Sequence, residues 1–286
     1  MLDDITDKKV KFLEEKALEI REAIIHMLLT AKSGHAAGPL GLADIFSVLY
    51  FHTLNHFPHD PGWEDRDRLI LSNGHVCPVR YATMALSGYF PLKELSTLRQ
   101  LNSRLQGHPH RTSLPGLETT SGPLGEGISQ AIGIALSAKL DQKDYHVYAI
   151  TGDGEHDEGN IWESIMMGAR YRLDNLTVII DRNNIQIDGF TENVMPLDDL
   201  RLKYESFGWF VIDIDGNNIR EIAQSLAKTH SIHEKPTVVI AYTTPGKGVD
   251  FMQNDYLWHG KAPNPEEAKT SLKELRTLKN KIENDY

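Results

Sequence analysis

His146-Val147-Tyr148-Ala149-Ile150-Thr151-Gly152-Asp153-Gly154 decides the reading of this chain, together with Leu176-Thr177-Val178-Ile179-Ile180-Asp181-Arg182-Asn183-Asn184. Each begins as a short run of aliphatic and β-branched residues, the pattern of a strand buried in a parallel sheet. Between them, Ile161 to Arg172 reads as a helix with Ile161, Ile165, Met166 and Ala169 on one face. Strand, helix, strand is a βαβ unit, and its right-handed crossover brings the C-terminal ends of both strands to one edge of the sheet. Asp153 and Asn183, 30 positions apart (183 − 153), then share a site. A carboxylate and an amide oxygen there suit a hard divalent cation, completed by a backbone carbonyl and the oxygens of a diphosphate. Crevices at strand C-termini are where open α/β sheets bind ligands. Gly152 and Gly154 let the backbone approach such a ligand with no Cβ in the way.

With 286 residues the chain has room for a sizeable core, at 40% hydrophobic and 24% charged residues, an ordinary globular composition. Its net charge of −10, with Lys and Arg scattered, argues against nucleic acid or an anionic membrane as partner. A phosphorylated ligand remains compatible, because backbone amides, a metal and a few local cations suffice to hold an anion. The single Cys77 leaves no internal disulfide and fits a reducing cytoplasm. No apolar stretch approaches the roughly 20 residues of a membrane span. The acidic start, Met1-Leu2-Asp3-Asp4, is not a signal peptide. The expectation is a soluble cytoplasmic protein.

Working outward from the central unit, the first segment, about Ile5 to Ala31, places Leu13, Ala17, Ile20, Ile24, Met27 and Ala31 at spacings of three and four, as a long amphipathic helix does. Lys32 to Gly41, with three glycines and a proline, breaks that period, and a second helix is expected from Leu42 to about His52. After Leu69-Ile70-Leu71 and Ser72-Asn73-Gly74-His75 come an apolar helix, Tyr81 to Leu86, and a short one, Pro91 to Leu101. A long loop rich in Gly, Thr, Ser and Pro runs to Gly125, and such loops in compact domains are more often functional than idle. Ile128 to Leu140 is a helix whose small residues, Ala131, Gly133, Ala135 and Ala138, permit close packing on a sheet. Beyond the central unit, strands are expected at Trp209 to Ile214 and Thr237 to Tyr242, and a helix at Ile219 to Thr229. The last helix has Asn264 as its N-cap, Pro265 at its first position and Glu266-Glu267 in its first turn. This alternation specifies one domain over 1–286: a doubly wound α/β fold, its mostly parallel sheet covered by helices on both faces, with a helical N-terminal elaboration.

Four of the 13 histidines, His35, His75, His108 and His259, sit in glycine-flanked loops after apolar elements. Neutral imidazoles donate to hydroxyls and carbonyls and shuttle protons near pH 7. Zinc is disfavoured, since these histidines are tens of residues apart and neither Cys-x-x-Cys nor His-Glu-x-x-His occurs.

Gly-Asp-Gly after one strand and Asn-Asn after the next resembles the thiamine diphosphate and magnesium motif of thiamine-dependent enzymes. The resemblance to transketolases is more specific. Ser33-Gly34-His35 with Gly38-Pro39-Leu40-Gly41, Arg66-Asp67-Arg68 through Leu71-Ser72-Asn73-Gly74-His75, Gly107-His108-Pro109, Thr119 to Gly127, the Gly-Asp-Gly element and Trp258-His259-Gly260-Lys261-Ala262-Pro263 occur in the transketolase order. The match covers nearly the whole chain, and it is similar to the diphosphate-binding domain only; the pyrimidine-binding and C-terminal domains are absent. Ala36-Ala37 departs from the Pro-Gly that many transketolases carry after the first His.

The resemblance implies that Asp153, Asn183 and the Ile185 carbonyl bind Mg2+, or Ca2+ or Mn2+ in its place. It implies that Gly154 and His75 meet the diphosphate and Gly122, Pro123 and Leu124 the aminopyrimidine. His35, His108 and His259 would face the sugar, with His259 also beside the cofactor, and Glu158 would link paired active sites. The implied activity is transfer of a two-carbon ketol group from a ketose phosphate to an aldose phosphate, as in the pentose phosphate pathway. The activating glutamate and most phosphate-binding cations would come from a C-terminal transketolase subunit in a two-plus-two assembly. The alternatives are a split transketolase for an unusual ketose phosphate, the alpha chain of a 2-oxo acid dehydrogenase, and a non-catalytic subunit that keeps the fold. Arg201, Lys203 and the run from Lys273 to Lys281 read as solvated helix faces, and Trp162, Trp209 and Tyr171 as packing residues.

Overall fold

The computed structural model describes residues 5–285; the start read above, Met1-Leu2-Asp3-Asp4, lies outside the described residues. Strands β1 (Arg68–Leu71), β2 (Val147–Gly152), β3 (Leu176–Arg182), β6 (Phe210–Asp215) and β7 (Thr237–Tyr242) form one all-parallel sheet in the order β1-β2-β3-β7-β6, and β4 (Ile185–Gln186) pairs with β5 (Gly189–Phe190) in a small antiparallel hairpin. The register sets the functional edge: Val147 lies opposite Leu176 and Gly152 opposite Asp181, so that the Asp153 N–H donates to the Asp181 carbonyl at 3.2 Å. Asp153 and Asn183 therefore emerge side by side, as the βαβ reading requires. From β3 the chain passes to the far edge strand β6 and returns to β7.

Helices cover both faces. They are α1 (Asp7–Ala31), α2 (Ala37–Gly41), α3 (Ala43–Val48), α4 (Cys77–Ser87), α5 (Glu126–Leu140), α6 (Gly159–Arg170), α7 (Thr191–Val194), α8 (Leu200–Ser206), α9 (Ile219–Thr229) and α10 (Pro265–Asp285). Alternate residues of the strands supply the two cores. Ile150, Ile179, Val239 and Ala241 face a large cluster built on α1, α3, α4 and α9, whereas Ile70, Val178, Ile180, Val238 and Ile240 face α5, α6 and α8. The doubly wound fold and the helical N-terminal elaboration are both present. Leu13, Ala17, Ile20, Ile24 and Met27 of α1 are buried, and Asn264 Oδ1 accepts from the Glu266 and Glu267 N–H groups at the start of α10. Among the described residues no helix is long and apolar enough to cross a membrane.

Five readings need correction. The Gly38-Pro39-Leu40-Gly41 run is helical rather than a break, and the segment expected as one helix from Leu42 is α3 followed by a π-helical turn, Leu49–Thr53. Close packing overrides propensity there: a Cβ on Gly41 would lie 2.9 Å from the Thr244 carbonyl oxygen, and one on Gly38 3.0 Å from Val76 Cγ1. Pro91 to Leu101 contains only a 3-10 turn, Leu92–Thr97. Met166 is 58% exposed, and the buried stripe of α6 is Ile161, Ser164, Ile165 and Gly168, against which Trp209 packs. On α5, Gly133 is exposed, and a Cβ there would meet nothing within 4 Å; Ala131, Ala135 and Ala138 make the contact.

The edges of the sheet are dissimilar. β1 is four residues long, while β6 carries exposed Asp213 and Asp215, with the Arg201 guanidinium paired to Asp213. Arg201 also pairs with Glu205, and Lys203 donates to the Leu197 carbonyl, so both cations are spent locally.

Candidate active site

The C-terminal ends of β1, β2 and β3 open into a cleft of about 410 Å3. On its floor Asp153, 2% exposed, accepts three hydrogen bonds: Oδ2 from Arg182 Nη1 at 2.9 Å and the Asn184 N–H at 2.7 Å, and Oδ1, which keeps a second lone pair, from the Gly154 N–H at 2.8 Å. Burial still raises its carboxyl above the ordinary range, with Arg182 as the leading opposing influence. Arg182 bridges Asp153 to Glu192, so the hairpin β4–β5 and α7 beyond it are tied to this carboxylate. Asp181, 1% exposed, accepts from the Thr243 hydroxyl and, at 2.7 Å, from Asn183 Nδ2; burial pushes its carboxyl up to about 7. The bond from Nδ2 settles which way the Asn183 amide points, and its Oδ1, accepting from the Ile185 N–H at 3.0 Å, keeps a second lone pair.

The histidine loops converge on the same cleft. His35, His75 and His259 form a mutual cluster, with ring centroids 4.8 Å apart for His35 and His75, 5.1 Å for His75 and His259, and 5.6 Å for His35 and His259. His108, more exposed, lines the cleft beside them; a Cβ on Gly74 would lie 3.2 Å from its ring. All four stay neutral at pH 7. Burial, then the fields of His259, Arg99 and His108, push His35 down to about 4. Burial, then the neighbouring histidines, holds His75 well below its ordinary value, and burial lowers His108 and His259. Neutral imidazoles in contact offer both a donor and an acceptor nitrogen, as a proton relay at a sugar hydroxyl requires.

Gly122 and Leu124 line the cleft, together with Gly154 and Ile185. Pro123 and Glu158 do not: both are exposed, and Glu158 lies against Gly125 instead. Sequence reading missed Glu155, Asp181 and Arg182, whose roles come from tertiary hydrogen bonds. The one local signal was their placement beside the Gly-Asp-Gly and Asn-Asn motifs.

The residues fit a diphosphate cofactor with a divalent cation. Asp153, Asn183 and the Ile185 carbonyl form a set of hard oxygen donors. Among the described residues no group of three or more His, Cys, Asp and Glu could hold a metal by itself, so the cofactor's own oxygens would have to complete the coordination. Two buried polar atoms on the cleft, His35 Nδ1 and Asn73 Oδ1, have no partner within the chain. Buried polar atoms need partners, and a bound polar ligand would supply them.

Comparison with known proteins agrees with this geometry. The family model described as Transketolase, thiamine diphosphate binding domain, matches residues 14–281. The chain is 36% identical over 277 residues to one of the subunits of the apulose-4-phosphate transketolase from Phocaeicola vulgatus, spanning 97% of this chain and 98% of that one. It is 38% identical over 263 residues to a 6-deoxy-6-sulfo-D-fructose transketolase subunit from a Clostridium species, spanning 92% and 96%. Transketolase 1 of Escherichia coli is 37% identical over 259 residues, but this chain covers only 39% of it. The solved transketolase from Leishmania mexicana superposes with a TM-score of 0.85 at 30% identity, over 96% of this chain and 45% of that one. By sequence and by fold, the chain belongs to the transketolase family, as a thiamine diphosphate-binding domain.

Proposed function

We propose that this chain is the N-terminal subunit of a split transketolase, transferring a two-carbon ketol group from a ketose phosphate to an aldose phosphate. The observation that carries the reading is the end-to-end match to relatives named as transketolase subunits, joined to a cleft that gathers Asp153, Asn183 and the four loop histidines. Thiamine diphosphate, when bound, supplies the nucleophilic carbon that accepts and hands on the two-carbon unit. Asp153, Asn183 and the Ile185 carbonyl would hold Mg2+, or Ca2+ or Mn2+ in its place. Gly154 and His75 would meet the diphosphate, and Gly122 and Leu124, which line the cleft, the aminopyrimidine. His35, His259 and His108 would hold the sugar hydroxyls and move protons there, which their neutral state at pH 7 supports. Glu158, exposed beside the glycine loop, is free to link paired sites across an assembly.

The single domain read over 1–286 would pair with a second chain that carries the pyrimidine domain and its activating glutamate. We place the pair in a cytoplasmic two-plus-two assembly acting in the pentose phosphate pathway. Exposed Met166 and Met167 of α6, with Tyr171 just past its end, offer apolar surface for self-association. Two relatives are named for unusual sugars, which favours a second reading of the same chemistry with a ketose donor other than xylulose 5-phosphate. The test is ketol transfer from xylulose 5-phosphate to ribose 5-phosphate with thiamine diphosphate and Mg2+, run on this chain alone and mixed with its partner chain. Turnover only in the mixture is expected. Full turnover by the lone chain would sink the split-subunit reading, and an inactive mixture that still binds cofactor would shift the donor to another ketose.

A further inference from the structure

Glu155 lines the cleft two residues past Asp153, is 2% exposed, and accepts hydrogen bonds from three separate segments. Its Oε1 takes the Ser72 hydroxyl at the end of β1 and, at 2.6 Å, the Gly125 N–H at the end of the glycine loop. Its Oε2 takes the Gly152 N–H at 3.0 Å, at the end of β2. Ser72 Oγ in turn accepts from the Gly127 N–H at 3.1 Å in the first turn of α5. The approach is close enough that a Cβ on Gly127 would lie 2.5 Å from the Ser72 side chain. Each direct partner of Glu155 is a donor, so the position needs two acceptor oxygens; a carboxylate provides them and an amide does not. Negative charge is also favoured there by the N-terminus of α5.

The loop itself has little else to hold it. A Cβ on Gly122 would meet nothing within 4 Å, and Pro123 and Leu124 are exposed. Its ends are fixed instead: Ser121 Oγ donates to the Leu71 carbonyl at 2.6 Å, and Gly125 is held by Glu155 through its N–H and by Asn160 Nδ2 through its carbonyl, at 3.1 Å.

We propose that Glu155 is a positioning residue that clamps the end of the glycine loop to the ends of β1 and β2, fixing the span between that loop and the Asp153 motif across which the cofactor lies. The role of that span rests on the function proposed above; the clamp itself does not. Glu155→Gln leaves one of the three donors facing an N–H, and Glu155→Asp keeps the charge but is too short to reach Gly125 and Gly152 together.

Hydrogen exchange on the full chain without cofactor reads the clamp directly. In both variants the amides of Gly122 and of residues 124–127 are expected to exchange at least about tenfold faster, while those of β3 and β7 keep their protection. The dissociation constant for thiamine diphosphate with Mg2+, measured by tryptophan fluorescence of the complex with the partner chain, is expected to rise about tenfold or more alongside. Unchanged loop protection in the variants overturns the clamp, as does a loosening spread evenly over the sheet. Should Glu155→Gln fail to fold, Glu155→Asp decides. Failure of the wild-type complex to bind thiamine diphosphate would instead overturn the proposed function and the positioning role with it, whatever the exchange pattern shows.

Discussion

Asp153→Asn separates two tasks of one carboxylate, the hydrogen bonding that holds the fold and the metal binding proposed above. The wild-type group accepts from Arg182 Nη1, the Asn184 N–H and the Gly154 N–H at 2.7 to 2.9 Å while 2% exposed. An amide has one acceptor oxygen, so in either rotamer its NH2 faces a donor. A buried donor left unpaired costs about 1–3 kcal/mol. Arg182 keeps Glu192, so the guanidinium is not stranded and the loss stays within that range. Binding of the proposed metal would be affected more. At about 2.1 Å and an effective dielectric of about 20, one charge attracts a dication by a gross amount of about 16 kcal/mol, most of which competing water returns. A net loss on the order of 3 kcal/mol, about a hundredfold in Mg2+ affinity, is the expected remainder. The assay is ketol transfer by the assembled complex titrated with Mg2+, paired with urea unfolding of the same variant. Half-saturation should move up about a hundredfold and unfolding free energy should fall by about 1–3 kcal/mol, with excess Mg2+ restoring part of the activity. Wild-type Mg2+ dependence with lowered stability would refute the metal role and leave Asp153 as the buried partner of Arg182.

Other expectations follow the same logic. His35→Ala should lower kcat about a hundredfold with little change in urea midpoint, because His35 is half-buried and its Nδ1 has no partner in the chain; unchanged kcat would remove it from the relay. His146, pushed down to about 3 by burial and by His230, stays neutral in the fold where an unfolded imidazole would protonate. Its contribution to stability is therefore full above about pH 6.5 and lost as pH falls toward 3. Wild type should lose more stability than His146→Gln between pH 7 and pH 4.5, and equal losses by urea unfolding would contradict that. Gly127→Ala would set a Cβ within 2.6 Å of Ser72 Cβ, Oγ and Cα, costing about 1–3 kcal/mol and weakening cofactor binding. Wild-type thermal stability in that variant would show that the loop and β1 can part at no cost.

Sequence pattern carries the sheet further than the site. β7 is legible residue for residue as Thr237 to Tyr242, because a buried parallel strand has to be apolar on both faces. The helix α2 escapes for the converse reason: Gly and Pro carry low propensity, and only the neighbours Val76 and Thr244 reveal why small residues are wanted there. Met166 falls on the wrong side because spacing gives a helical stripe but not its centre, and Trp209, distant in sequence, settles that by packing on Gly168. In the site, the Asp153 and Asn183 pair and the four cleft histidines follow from motifs at strand ends and glycine loops. Glu155 and Arg182 have no such mark, since a carboxylate that collects three donors from three loops looks like any acidic residue until the loops are folded.

The two rims of the sheet decide how this molecule does not grow. β1 offers four residues of backbone, and on β6 Asp213 and Asp215 stand beside a pinned Arg201. A newcomer strand laid along β6 would have to strip water from those acids, and one laid along β1 would find few rungs to grip. Strand addition is thus disfavoured at both rims, which directs association of this chain away from its sheet edges.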